Sequence, residues 1–452
     1  MALTALEIYK HLPKTNCGDC GHPTCLAFAM QLSQKKLSLD DCPHVTDEGR
    51  AALEGASQPP IRLVTIGTGE HKLEIGNETV LFRHELTFFH PTGIAVQVSD
   101  AADEAALQAR FEKLRDLVIE RVGTQMRIDL IAVRADSGDP ARFARVASMA
   151  QSTAPYPLIL VSRDTAMIEA ALGQTKQGRP LIYAADSENW QKMAPLAKEA
   201  TCPLAVVAPD LEKLYELTPK IVEAGVQDLV LGLEGNNFAE TLQALTIGRR
   251  LALKKSCRPL GYPMIAFATD PDPARAMAQA STYIAKYAGI VVVELDEPWQ
   301  LIAPMTVRYN IYTDPQKPIQ VKPGFYEVRD PTPESPVLLT TNFSLTYYTV
   351  EGDVDASRIP AYIVVVDTEG TSVLTAWAAD KLNADKVAAM LEANDGIKAR
   401  VKHRQIIIPG LVAVMTAKLK DKSGWDVVVG PRESAGIPRF LKTLVAEARS
   451  TA

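Results

Sequence analysis

Apolar and polar positions change rhythm several times along this chain. From about residue 93, short apolar runs alternate with longer stretches that repeat apolar residues at helical spacing. The runs are GIAVQVSD from 93, MRIDLIAVRA from 126, YPLILVS from 156 and RPLIYAA from 179, then CPLAVVA from 202, DLVLGLE from 228, YPMIAFA from 262 and GIVVVEL from 289. Each is nearly continuous in apolar residues, as expected of parallel strands covered on both faces. Between them, segments such as DEAALQARFEKLRDLVIERV and NNFAETLQALTIGRRLALKK read as helices. Eight strand–helix repeats predict a (β/α)8 TIM barrel over residues 93–311. A doubly wound open sheet is the alternative, but it more often has about five to seven strands.

The rhythm differs on both sides of this block. Residues 58–92 alternate in IRLVTIGTG and KLEIGNETVLFRHELTFF, and the Gly76-Asn77 pair predicts a linker carrying a β-hairpin. Residues 312–336, YTDPQKPIQVKPGFYEVRDPTPESP, are rich in proline and charge and read as an extended linker. In residues 337–452, AYIVVVD (361–367), RQIIIPG (404–410) and WDVVVGPRESAG (425–436) are strand candidates. Each ends in Gly, Ser or Thr beside a helix start, the pattern of a Rossmann-like domain with a ligand at its carboxyl edge. No GxGxxG is present, and GPRESAG lacks the GK[ST] ending of a P-loop, so a dinucleotide is not indicated.

Bulk properties narrow the function. A chain of 452 residues exceeds one ordinary core, so the expectation is an α/β multidomain protein. The net charge of -6, without a long basic stretch, argues against nucleic acid. No apolar run reaches the roughly 18 residues of a membrane span. The first residues lack the basic and apolar regions of a signal peptide, so a cytoplasmic location is expected. A reducing cytosol disfavours structural disulfides, which turns attention to metal.

Four of the six cysteines fall within residues 1–57. Cys17, Cys20 and Cys25 lie in NCGDCGHPTC, and Cys42 follows in DDCPHV, giving C-x2-C-x4-C-x16-C. Gly18 and Gly21 let the loop turn sharply, and LAFAMQLSQKKLS reads as a helix that returns the chain to the site. Zinc prefers paired knuckles, whereas a [4Fe-4S] cluster takes four cysteines from an uneven loop, often with proline after the remote one, as at Pro43. The spacing favours the cluster and leaves zinc as the alternative. His22 and His44 read as neighbours of the site rather than ligands.

The barrel offers less chemistry. Its strand ends carry Asp100, Asp136, Ser162, Arg163, Asp186, Asp210, Glu234, Asn236, Asn237, Asp270 and Asp296, which read chiefly as caps of the following helices. No histidine occurs between His90 and His403, so a metal-dependent hydrolase barrel is not supported. Cys202 and Cys257 read as buried or inert.

The order of parts, with NCGDCGHPTC, DDCP, VLLTTNFSLTYYTVEGD and VVDTEGTSVLTAWAADK, resembles one family over essentially the full chain. This family is the large (gamma) subunit of the corrinoid iron–sulfur protein of the acetyl-CoA (Wood–Ljungdahl) pathway, with its archaeal acetyl-CoA decarbonylase/synthase counterpart. The resemblance implies a [4Fe-4S] cluster on Cys17, Cys20, Cys25 and Cys42 and a cobamide, a B12-type corrinoid with cobalt, on the C-terminal domain. It implies a methyl carrier that takes its methyl group from methyltetrahydrofolate through a methyltransferase. Cobalt, as Co(I), is the nucleophile, so no catalytic side chain is expected. The methyl group passes to the nickel site of acetyl-CoA synthase/CO dehydrogenase. The cluster serves reductive reactivation of Co(II), and the implied partners include a small (delta) subunit and a reductive activator.

Corrinoid contacts would come from Thr340, Thr346, Gly370, Thr371, Ser372, Val373 and Leu374 on one edge. Gly410, Gly430, Pro431, Arg432, Glu433 and Gly436 would supply the other. No D-x-H-x-x-G motif is present, so no histidine is expected below the cobalt. An iron–sulfur electron-transfer subunit without corrinoid is the alternative function, and a zinc-stabilised scaffold is a third.

Overall fold

The structure is a computed structural model and describes residues 4–33, 37, 39–46, 48–50, 53, 59–235, 237–313 and 318–451. Two compact units form. One is Met1–Ile119 with Met126–Tyr312, and the other is Glu120–Gln125 with Thr313–Ala452.

In the first unit, strands β1 (Val64–Ile66) and β2 (Leu73–Ile75) pair antiparallel. Along the chain follow β3 (Gly93–Ser99), then β4 (Ile119–Arg121) and β5 (Thr124–Met126), a separate two-stranded sheet whose residues 120–125 belong to the second unit, then β6 (Leu130–Arg134), β7 (Leu158–Val161) and β8 (Leu181–Ala185). Next come β9 (Leu204–Ala208), β10 (Leu229–Leu233), β11 (Ile265–Ala268) and β12 (Ile290–Val293). Eight of these form one parallel sheet in the order β10-β9-β8-β7-β6-β3-β12-β11, and Leu231 bridges Met264 beside β11, which brings the two edges together as a barrel. All eight apolar runs of the sequence are its strands.

Side-chain alternation sorts the barrel into layers. Ile94, Val96 and Val98 face the outer helices, while Ala95 faces inward with Ala132, Val207 and Val292. The inner cluster also holds Val64, Ile66 and Ile75, so the β1–β2 hairpin is a plug. It sits at the amino ends of the strands: Gly67 N–H donates to Arg179 O, and a Cβ on Gly93 would lie 2.5 Å from a Leu73 methyl. The chain reverses between residues 67 and 72 rather than at Gly76-Asn77. Gly76 instead holds φ +94 where a Cβ would lie 2.0 Å from Arg62 O.

The second unit has β13 (Gly324–Val328), β14 (Val337–Thr341), β15 (Ala361–Val366), β16 (Gln405–Ile408) and β17 (Asp426–Val429). Their order is β13-β15-β14-β16-β17, parallel except for β13 at the edge. The three expected runs are β15, β16 and β17. The proline-rich segment before them contributes β13. VLLTTNFSLTYYTVEGD divides into β14 and a helix, Ser344–Ser357. β15 follows β14 in sequence on one side, and β16 lies on the other. The topology therefore reverses at β14, where loops diverge and leave a crevice in sheets of this kind.

Candidate cofactor sites

The cysteine segment is organised around the helix Cys25–Ser33. Thr24 Oγ1 accepts from Ala27 N–H, and Asn16 Oδ1 accepts from Cys25 N–H at 2.8 Å, so the loop is tied to the helix start. Asn16, Gly18 and Gly21 all have positive φ, which packs three cysteines into one tight turn. All four thiols are free. Cys20, Cys25 and Cys42 belong to one apolar cluster with Ile8, Leu12 and Phe28, while Cys17 is exposed. His44 Nε2 lies 2.6 Å from Asp19 Oδ2 at the rim, and the His22 ring leans on Phe28. Sulfur donors in an apolar surround fit a soft centre such as an iron–sulfur cluster or zinc.

At the carboxyl edge of the second unit, a cavity of about 220 Å³ opens at the reversal point. β14 supplies Leu338, Leu339 and Thr340 to its lining, and β16 supplies Ile407 and Ile408. Thr346 and Val350 come from the helix Ser344–Ser357, and Ser372, Val373 and Leu374 from the segment after β15. Gly430, Pro431 and Arg432 follow β17. Thr340 is 1% exposed, and its hydroxyl has no hydrogen-bond partner among the described residues. Such a group costs free energy unless a ligand answers it.

Eight of the thirteen corrinoid-contact candidates line this cavity: Thr340, Thr346, Ser372, Val373, Leu374, Gly430, Pro431 and Arg432. The other five shape its loops. Gly370 N–H donates to Asn342 Oδ1, and the Thr371 hydroxyl donates to Thr368 O within its own turn. Gly410 packs against Gly430 O, where a Cβ would sit at 2.6 Å. Glu433 O accepts from Gly436 N–H, and Gly436 presses on Pro431. Sequence reasoning passed over Leu338, Val350, Ile407, Leu411 and Ile437, because apolar residues in strands and helices read as core. Ile407 lies toward the carboxyl end of β16 and Leu411 just beyond it, while Leu338, Val350 and Ile437 carry no local signal that separates them from core.

The polar residues at the barrel's carboxyl end hold one another. Asp210 and Asn237 cap helices, as expected, and Asp103, Asp139, Asp164 and Asp272 do the same. Buried Asp100 accepts from Asp136 N–H, Ser137 N–H and the Ser137 hydroxyl. Arg134 pairs with Asp136 and Glu294, Arg163 with Asp186 and Glu234, and Lys113 with Asp296. Asp270 accepts from Asp272 N–H, and Asn236 lies outside the described residues. Cys202 is buried, and burial pushes its thiol up to about 11.

The fold and these sites define a multidomain α/β protein with a cysteine-rich segment, a barrel and a mostly parallel sheet that carries a cavity at its carboxyl edge. A family model described as the CO dehydrogenase/acetyl-CoA synthase delta subunit matches residues 63–441, and a model for an Fe-S cluster matches residues 12–44. The chain is 47% identical over 447 residues to the corrinoid/iron-sulfur protein large subunit of Moorella thermoacetica, covering 99% of this chain and 100% of that one. It is 38% identical over 460 residues to the acetyl-CoA decarbonylase/synthase complex subunit gamma of Methanothermobacter thermautotrophicus, with 99% and 100% covered. The names delta and gamma disagree; the full-length matches decide between them, because they take in the cysteine segment as well. The chain belongs to the family of corrinoid/iron-sulfur protein large subunits and acetyl-CoA decarbonylase/synthase gamma subunits. Among solved structures, the dihydropteroate synthase of Thermus thermophilus matches 53% of this chain and 97% of its own, at 16% identity and a TM-score of 0.38.

Proposed function

We propose that this chain is a corrinoid methyl carrier, a methyl-transferring component of acetyl-CoA synthesis or breakdown. The observation that carries the reading is the cavity at the β14 reversal, with the unanswered Thr340 hydroxyl in its wall. Bound there, a cobamide would supply a cobalt centre that accepts a methyl group and hands it on, and a [4Fe-4S] cluster on Cys17, Cys20, Cys25 and Cys42 would supply the electron that keeps the cobalt reduced.

The chain's own residues then bind and orient. The cavity is smaller than one that engulfs a drug-sized molecule, so it takes one arm of a larger ligand. Leu338, Ile407 and Leu411 exclude water from that arm, and the Thr340 hydroxyl and Arg432 supply polar contacts. Leu345, Leu374, Val414 and Val429 are large apolar side chains left exposed in this domain, and a flat apolar ligand under a partner would cover such surface. Among the described residues no histidine lines the cavity, and His403 Nε2 lies 2.9 Å from Ser335 O.

The partners of this reading are a small (delta) subunit, a methyltetrahydrofolate methyltransferase, acetyl-CoA synthase/CO dehydrogenase and a reductive activator, all in the cytoplasm. Among the described residues no helix is long and apolar enough to cross a membrane. Elemental analysis of anaerobically purified protein, co-expressed with its small subunit, tests the proposal. About four irons and about one cobalt per heterodimer are expected. Iron without cobalt, from cells supplied with B12, would leave an electron-transfer subunit, and zinc alone would leave a scaffold.

A further inference from the structure

Asn342 follows β14 directly and is fully buried, two residues beyond Thr340 in the cavity wall. A buried amide carries four hydrogen-bonding positions, and each one left open is costly. Here the side chain faces the turn after the neighbouring strand, β15. Its Oδ1 accepts from Thr368 N–H at 2.9 Å and from Gly370 N–H at 3.0 Å. Its Nδ2 donates to Asp367 Oδ1 at 3.0 Å and to Gln320 Oε1 at 3.1 Å. Two donors on one side and two acceptors on the other fix which way the amide points. The Thr368 hydroxyl lies within reach of both Asn342 Oδ1 and Thr371 O and gives its single proton to one of them.

The turn held in this way is unusual. Glu369 and Gly370 are successive residues with positive φ, at +55 and +70. Glu369 N–H donates to Asp367 Oδ1, and the Thr371 hydroxyl donates to Thr368 O. Left-handed backbone at a residue with a side chain persists only where the surroundings dictate it. The next residues are Ser372, Val373 and Leu374, one wall of the cavity.

We propose that Asn342 is the positioning residue of the corrinoid seat: its amide sets the 367–371 turn and so places the Ser372–Leu374 wall against the ligand. The inference rests on the reading of the cavity as that seat. Asn342 touches no reacting atom. It joins the ends of two adjacent strands, β14 and β15, beside the crevice.

Asn342→Asp separates this role from general packing. The replacement has the same shape and still accepts from Thr368 and Gly370. It loses both donated bonds and sets a carboxylate against Asp367. The charged groups around the network are Asp367, Glu369 and Lys381, which pairs with Glu369. The full chain with its small subunit is used, and aquacobalamin is the probe. Amide exchange of residues 366–374 in the corrinoid-free protein should accelerate about tenfold, and aquacobalamin binding should weaken about tenfold. Acid should largely reverse both effects, because a proton shared between the two carboxylates restores the bond to Asp367. Asp367→Asn in the same chain should also reverse them, because the donor then lies on the other side. Wild-type exchange rates in the variant would overturn the proposal, as would a loosened turn with unchanged aquacobalamin binding. Failure of the unsubstituted protein to bind aquacobalamin would sink the seat itself, while the exchange data would still report whether Asn342 orders the turn.

Discussion

Thr340 shows how a single side chain can mark a site. Its hydroxyl is buried without a partner among the described residues, which carries a cost in free energy. Thr340→Val should leave thermal stability unchanged or raise it by about 1 kcal/mol. The same change should weaken aquacobalamin binding about fivefold in a spectrophotometric titration. Lost stability with unchanged binding would speak against a ligand role. The cysteines divide in the same way. Cys42→Ala should abolish cluster iron, measured by elemental analysis and visible absorbance, while Cys257→Ala should leave both intact. Equal iron in the two variants would remove Cys42 from the ligand set. Cys202 answers to pH instead. Its folded thiol stays protonated up to about 11, whereas an unfolded thiol ionises near ~8.5. Its contribution to stability is therefore complete below the unfolded value and is lost as pH rises through the folded one. Alkylation of the native protein should spare Cys202 at about pH 9, and the advantage of wild type over Cys202→Ala in urea should shrink between about pH 8.5 and 11.

At the scale of elements, the plug hairpin carries the sharpest test. Gly76 combines φ +94 with a carbonyl where its Cβ would be, so Gly76→Ala should cost at least ~2 kcal/mol and lower the thermal midpoint. An unchanged midpoint would mean that the segment bends freely. The barrel strands were legible in the sequence because parallel strands buried on both faces leave unbroken apolar runs. The hairpin was legible as an element but not in its turn. A Gly-Asn pair suggests a two-residue loop, whereas the actual reversal uses Gly67 and Gly69 at positive φ. β14 was the hardest strand to see. Its end reads Thr340, Thr341, Asn342, polar residues that look like an exposed edge, yet each is at most 1% exposed at the centre of the sheet. Thr340 lines the cavity and Asn342 holds the turn beside it, and such buried polar residues break the apolar pattern that would have announced the strand. The cysteine set stood out for the opposite reason, since metal-ligand spacing is carried by the residues themselves.

For the whole molecule, the division into units does not follow the order of the chain. Residues Glu120–Gln125 belong with Thr313–Ala452, although barrel sequence flanks them on both sides. Inside that unit, Gly123 at φ +68 packs so closely on Tyr348 that a Cβ would fall 1.9 Å from the hydroxyl. The backbone thus passes from one unit to the other three times, after Ile119, Gln125 and Tyr312. A gene could not lend this domain to another protein in one uninterrupted stretch. Any transfer that copied only the last third of the reading frame would leave behind six codons written far upstream, and the domain would arrive with a gap beside Tyr348. A cassette that looks detachable on paper is stitched into its neighbour's text.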